Sequence, residues 1–146
     1  MPNDPDFNVF RPDRPGIRKV LGDLEAEIME LVWARPPAEG TIVRDVFEIL
    51  YDRRRIAYTT VMNTMARLAR KNLLRVEKAD QAYVYFPTMS QDQFVSHFVV
   101  HILENLLVSF SGATIESLRG LKDPEAAARA RQLLEKITRR RAEETE

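Results

Sequence analysis

The stretch that decides the fold is Ala57–Asn72, AYTTVMNTMARLARKN, with Leu73–Pro87, LLRVEKADQAYVYFP, directly after it. At about 100° per residue, Val61, Met65 and Leu68 fall on one side of a helix over Thr59–Lys71. Thr60, Asn63, Thr64, Arg67 and Lys71 form a stripe on the other side. Asn72 suits a left-handed C-cap. The runs Leu74–Lys78 and Ala82–Phe86 alternate and carry Val and Tyr, so they predict a hairpin around Ala79-Asp80-Gln81. Upstream, Leu24, Ile28, Leu31 and Val32 share one face of a helix over Asp23–Ala34, which Pro36-Pro37 ends. Thr41 is a good N-cap for a second helix to about Asp52, with Val43, Val46, Phe47 and Leu50 inward. Three helices and then a hairpin predict a mainly α fold: a winged helix-turn-helix over residues 20–88.

The 146 residues hold 22 Lys+Arg and 22 Asp+Glu, a net charge of zero. The charge is segregated. Arg53 to Lys78 contains eight basic residues and one acid, Glu77. The first helix is acidic, with Asp23, Glu25, Glu27 and Glu30. A basic segment in a neutral chain still attracts a polyanion, because the local field governs the encounter. The hydrophobic share of 45% supports a core. The absence of Cys removes disulfides, thiolate metal sites and a Cys nucleophile. With two His, five Gly and no paired carboxylates, an enzyme is the weakest class and no cofactor is expected. The N-terminus lacks an apolar signal region, which points to a cytoplasmic protein.

Outside the winged helix, residues 1–19 hold four of the eight prolines and read as a flexible arm. Residues 89–142 read as a helical dimerisation domain, and 143–146 as a frayed acidic tail. Ser90 with Gln93 forms a capping box. From Gln93 to Ile115 the only charge is Glu104, and apolar residues occupy nearly every face. A helix apolar all round is buried on more than one side. Phe94, Phe98, Ile102, Leu103, Leu106, Leu107 and Phe110 are therefore expected at a homodimer interface. A membrane span is the weaker reading, because His97, His101, Glu104 and Asn105 interrupt the run. Ser111-Gly112 should bend the chain, with a short helix over Thr114–Leu121. Asp123-Pro124 should start a last helix to about Arg141. His97 and His101, one turn apart, are weak metal candidates; a polar strip in the interface is the favoured reading.

The outward residues of the third helix suit major-groove reading. Arg grips guanine with two bonds, Asn grips adenine, and a Thr methyl packs on a thymine methyl. Thr60, Asn63, Thr64 and Arg67 supply these groups. Arg53, Arg54, Arg55, Arg70, Lys71, Arg75 and Lys78 suit the phosphates of double-stranded DNA. The alternative is a winged-helix dimer that docks mainly to another regulator. Trp33, Tyr83 and Tyr85 read as core and wing packing.

Three segments together resemble the penicillinase repressor family: LGDLEAEIMELVW (Leu21–Trp33), AYTTVMNTMARLARKN (Ala57–Asn72) and AYVYFPTMSQDQF (Ala82–Phe94). The family includes repressors of beta-lactamase and methicillin-resistance genes and a branch that controls copper transport. The resemblance implies a homodimeric repressor on a palindromic operator. It places Thr59, Thr60, Asn63 and Arg67 in the recognition helix and Lys78 and Gln81 on the wing. It has Thr41 open a helix whose positive end faces phosphate. The chain departs from the family in four ways. Asn63 stands where members often have Thr, and Asn72 where Gly is frequent. The Cys pairs of the copper branch are absent. No Asn-Phe pair occurs in Phe98–Leu121, the region where a sensor-linked protease would relieve repression.

Overall fold

A computed structural model describes residue 5 and residues 9–144. A 3-10 turn, Gly16–Lys19, leads into α1 (Asp23–Trp33), α2 (Val43–Arg53) and α3 (Tyr58–Arg70). A two-stranded hairpin follows, β1 (Leu74–Ala79) and β2 (Ala82–Pro87), then α4 (Gln91–Arg119) and α5 (Pro124–Glu144). The fold is the expected mainly helical one with a small antiparallel hairpin. Its register pairs Val76 with Tyr85 and Lys78 with Tyr83, and Asp80 takes φ 56 at the turn. Asn72 adopts φ 64, the left-handed end expected of it.

Two local expectations change. The N-cap of α2 is Ile42, and no side chain caps it. Thr41 is instead buried and bridges β2: its N–H donates to the Tyr85 carbonyl at 2.8 Å, and Tyr85 N–H donates back at 2.8 Å. A backbone groove next to the hairpin outcompetes the local capping preference. Gly40 makes the approach possible, at φ 74; a Cβ there would meet Val84 Cγ1 at 2.5 Å. The inward face of α1 is also rotated from the expected one. Ala26, Ile28, Met29 and Val32 are buried, and Leu24 and Leu31 are only half-buried.

The arm is not free along its whole length. Ile17 is buried, and Arg11 N–H donates to the Lys19 carbonyl at 2.6 Å. Arg14 and Arg18 both pair with Asp23 at the start of α1. Residues 11–19 are thus tied down by one apolar anchor and ion pairs; residues 1–4 and 6–8 lie outside the described ones. At the far end, 143–144 continue α5 rather than fray, and 145–146 lie outside the described residues.

The chain divides into two compact units, Met1–Val99 and Val100–Glu146. The expected boundary at 88/89 moves because α4 begins inside the first core. Ser90 and Gln93 form the capping box, with Gln93 N–H to Ser90 Oγ at 3.1 Å and Ser90 N–H to Gln93 Oε1 at 2.9 Å. One turn on, Phe94 is fully buried, 5.5 Å from the Trp33 ring and 5.7 Å from Phe98. Trp33 Nε1–H donates to the Met89 carbonyl at 3.0 Å. Phe94 and Phe98 therefore leave the expected dimer interface, because the same chain already covers them. In the second unit α4 loses helical geometry at Phe110 (φ −142, ψ 54), one residue before the expected bend. The short helix expected after it is the last part of α4. By length and composition α4 is apolar enough to cross a membrane, with a mean hydropathy of 1.5.

Candidate nucleic-acid interface

The outer face of α3 follows from what it buries. Val61, Thr64, Met65 and Leu68 are buried and fix the core side. Thr64 was expected on the outer stripe. It is 4% exposed, and its hydroxyl donates to the Thr60 carbonyl at 2.7 Å. A small hydroxyl that satisfies itself one turn back is cheap to bury. Thr64 therefore leaves the base-reading set. At about 100° per residue the outward direction lies opposite these four residues, along Thr59, Asn63, Ala66 and Arg70. Arg67 and Met62 flank this line, and Thr60 stands at its edge. Thr59, Thr60, Asn63 and Arg67 are all exposed, as expected. Arg70, expected from sequence on a phosphate, lies near the centre of this face.

The cations around α3 form two classes. Arg67, Arg70 and Lys78 are exposed and have no ion-pair partner among the described residues. The others are engaged. Arg54 Nη2 lies 2.8 Å and Arg53 Nη1 3.6 Å from the Glu27 carboxylate, and Lys71 Nζ lies 2.9 Å from Glu25. Arg55 lies over the Tyr51 ring at 4.7 Å and donates to its hydroxyl at 2.5 Å. Arg75 pairs with Glu77 and lies 4.7 Å from the Phe86 ring centre. Thr41, at 3% exposure, presents little to a phosphate. On the wing, Lys78 and Gln81 flank the exposed hairpin turn. Tyr85 is buried, and burial pushes its phenol up from 10.0. Tyr83 is 57% exposed, so it is a surface residue and not wing packing.

A model of the penicillinase repressor matches residues 21–140. The chain belongs to the penicillinase repressor family. It is 43% identical over 83 residues to the "Transcriptional regulator BlaI" of two Mycobacterium tuberculosis strains, CDC 1551 / Oshkosh and ATCC 25618 / H37Rv. That alignment covers 57% of this chain and 59% of each relative, less than two thirds of their length. The family match extends further, through α4 and into α5.

In this member of the penicillinase repressor family the sequence pattern does not point to two exposed residues on α3, Tyr58 and Met62, at 44% and 40%. Both are apolar enough to be mistaken for core. Tyr58 packs edge-on against Phe47 at 5.4 Å and leaves its outer edge open. In the second unit Leu106, Val108 and Phe110 are exposed, Val108 at 87%, while Ile102, Leu103 and Leu107 are half-buried. His97 and His101 are exposed on α4, and among the described residues no group of three metal-ligating side chains forms.

Proposed function

We propose that the protein is a cytoplasmic, sequence-specific DNA-binding repressor that acts as a homodimer on a palindromic operator. The observation that carries this is the outer face of α3. Thr59, Asn63 and Ala66 lie along its outward line, with Arg67 and Arg70, whose charges are not spent on internal partners, in the turns toward its C-terminal end, and Lys78 stands on the wing. Short polar groups flanked by free cations suit base edges flanked by phosphates. The family relationship supports the same reading.

Dimerisation is carried by the second unit. Leu106 and Val108, on nearly opposite sides of α4, and Phe110 at its break are exposed apolar residues that packing against a second copy would cover. The composition of α4 also suits a membrane, but its usable length does not. Phe94 and Phe98 are committed to the first core and the helix breaks at Phe110. The intervening stretch is about 16 Å long at 1.5 Å per residue, against ~30 Å of hydrocarbon. The same break is a suitable place for a sensor-linked protease to relieve repression. Phe110 is non-helical, and Ser109, Ser111 and Gly112 around it are exposed. Mass spectrometry of fragments from induced cells would locate the cut.

The test of DNA reading is selection of binding sites from a random duplex pool, followed by salt titration. A repeated inverted half-site is expected. With about six phosphates contacted per dimer, log K against log salt should fall with a slope of about −5. A pool that stays unenriched, with a slope near zero, would favour docking to another regulator.

A further inference from the structure

Three cations expected on phosphate are held by two carboxylates of α1. Arg53 and Arg54, at the end of α2 and just before α3, meet Glu27 at 3.6 and 2.8 Å. Lys71, just after α3, meets Glu25 at 2.9 Å. Glu25 also accepts the Gly22 N–H at 3.0 Å. Residues two apart on a helix point to nearly opposite sides. Each carboxylate therefore serves one end of α3. The Glu27 side chain is 15% exposed, whereas those of Arg53 and Arg54 are 54% and 48%. A largely covered carboxylate attracts its partners more strongly than an exposed one, because the effective dielectric is lower.

A phosphate that approaches Arg53 and Arg54 must compete with Glu27. We propose that Glu27 is a positioning residue for operator reading: it pins the turn that enters α3 and withholds two arginines from sequence-independent phosphate contact. The proposal rests on the DNA-binding reading above. Random DNA is held almost wholly by phosphate neutralisation. Internal pairing of Arg53 and Arg54 thus lowers affinity for random DNA and leaves the outward residues of α3 to discriminate.

The experiment compares full-length wild type, Glu27→Gln and Glu27→Asp on a pool-selected operator and a scrambled duplex across a potassium chloride series. Glu27→Gln is expected to bind the scrambled duplex several-fold more tightly. Its salt slope should steepen by about 1 to 2 per protomer, about 0.9 for each freed arginine. The ratio of operator to scrambled affinity should narrow. Glu27→Asp, which keeps the charge, should restore the wild-type slope, and adding Arg54→Gln to Glu27→Gln should reverse at least half of the gain. Parallel weakening on both duplexes, with the slope unchanged, overturns the proposal and makes Glu27 merely structural. A second measurement needs no variant. On adding scrambled duplex to wild type, the Arg54 guanidinium resonances should hold still while those of Arg70 move; equal movement of both overturns the proposal. Wild type with no salt-dependent DNA binding would remove the DNA reading itself, and the proposal with it.

Discussion

The Trp33 and Phe94 rings pack 5.5 Å apart, tilted by 44°, and this contact makes the first turn of α4 part of the winged-helix core. Phe94→Ala should therefore destabilise the first unit by about 3–5 kcal/mol, the usual cost of emptying a large aromatic site. Urea unfolding followed by Trp33 fluorescence measures it. The loss should not depend on protein concentration. A loss that grew on dilution would return Phe94 to a subunit interface.

Association should respond to Leu106 instead, which is 42% exposed on α4. Leu106→Glu is expected to shift sedimentation toward a 16.9 kDa species at micromolar concentration. The unfolding free energy of the first unit should stay within the usual range for surface changes, about 0.5 kcal/mol. An unchanged sedimentation coefficient would place the interface elsewhere.

Asn63 and Thr64 are neighbours with opposite fates, and they separate the outer face of α3 from its core side. Asn63→Ala should cost about 1–3 kcal/mol on the selected operator and little on scrambled duplex. Thr64→Ala should leave the ratio of the two affinities unchanged, since its hydroxyl serves the Thr60 carbonyl. Gel-shift titration of both variants at one salt concentration decides the matter. A specificity loss confined to Thr64→Ala would mean that the face is misassigned.

Gly40 should not tolerate a side chain. In Gly40→Ala the new Cβ meets Val84 and Phe86 at 2.5–2.9 Å from a left-handed φ. A cost of about 1–3 kcal/mol is expected from the overpacking alone. Amide exchange should quicken at Thr41 and Tyr85, the two N–H groups of the bridge, before it quickens in α3.

The arm provides a pH dependence. The hydrogen bond from Arg14 holds the Asp23 carboxyl below its usual 3.8, with the charges of Arg14 and Arg18 adding to it. A lowered folded value means that the contact contributes fully above the unfolded value and is lost as pH falls through the lowered one. Amides of Arg14 and Arg18 should therefore keep their protection from neutral pH down to about 4 and lose it in more acid solution. Asp23→Asn should remove the pH dependence. Protection that persisted in that variant would show that Ile17 alone holds the arm.

Much of this architecture is written locally. Ser90 with Gln93, Asn72 at the end of α3 and the alternation of Leu74–Phe86 each specify their own geometry within a few residues. What went astray depended on distant partners. The pattern in α3 locates the core side but not its width, so it sets Thr64 outward and gives no sign that Met62 is exposed. Capping preference favoured Thr41 until the hairpin backbone offered it a better partner. The cations of residues 53–78 are plain in the sequence, yet the availability of three of them depends on Glu25 and Glu27, 26 to 46 residues upstream. The apolar run after Gln93 announced burial without saying which body would cover each residue.

The Thr41–Tyr85 bridge leaves the hairpin asymmetric. It covers β2 at one point, while β1 has no strand beyond it among the described residues. An open strand edge invites another chain to add itself, and proteins deter this with charge along the edge. The sequence of β1 is LRVEKA, so Arg75, Glu77 and Lys78 lie along that margin, all exposed. Lys78 would then have two duties, on a nucleic-acid partner and against self-assembly. Replacing all three with Val or Thr should yield a protein that still folds but becomes turbid on concentration and binds amyloid dyes, with strand-to-strand growth starting from the wing.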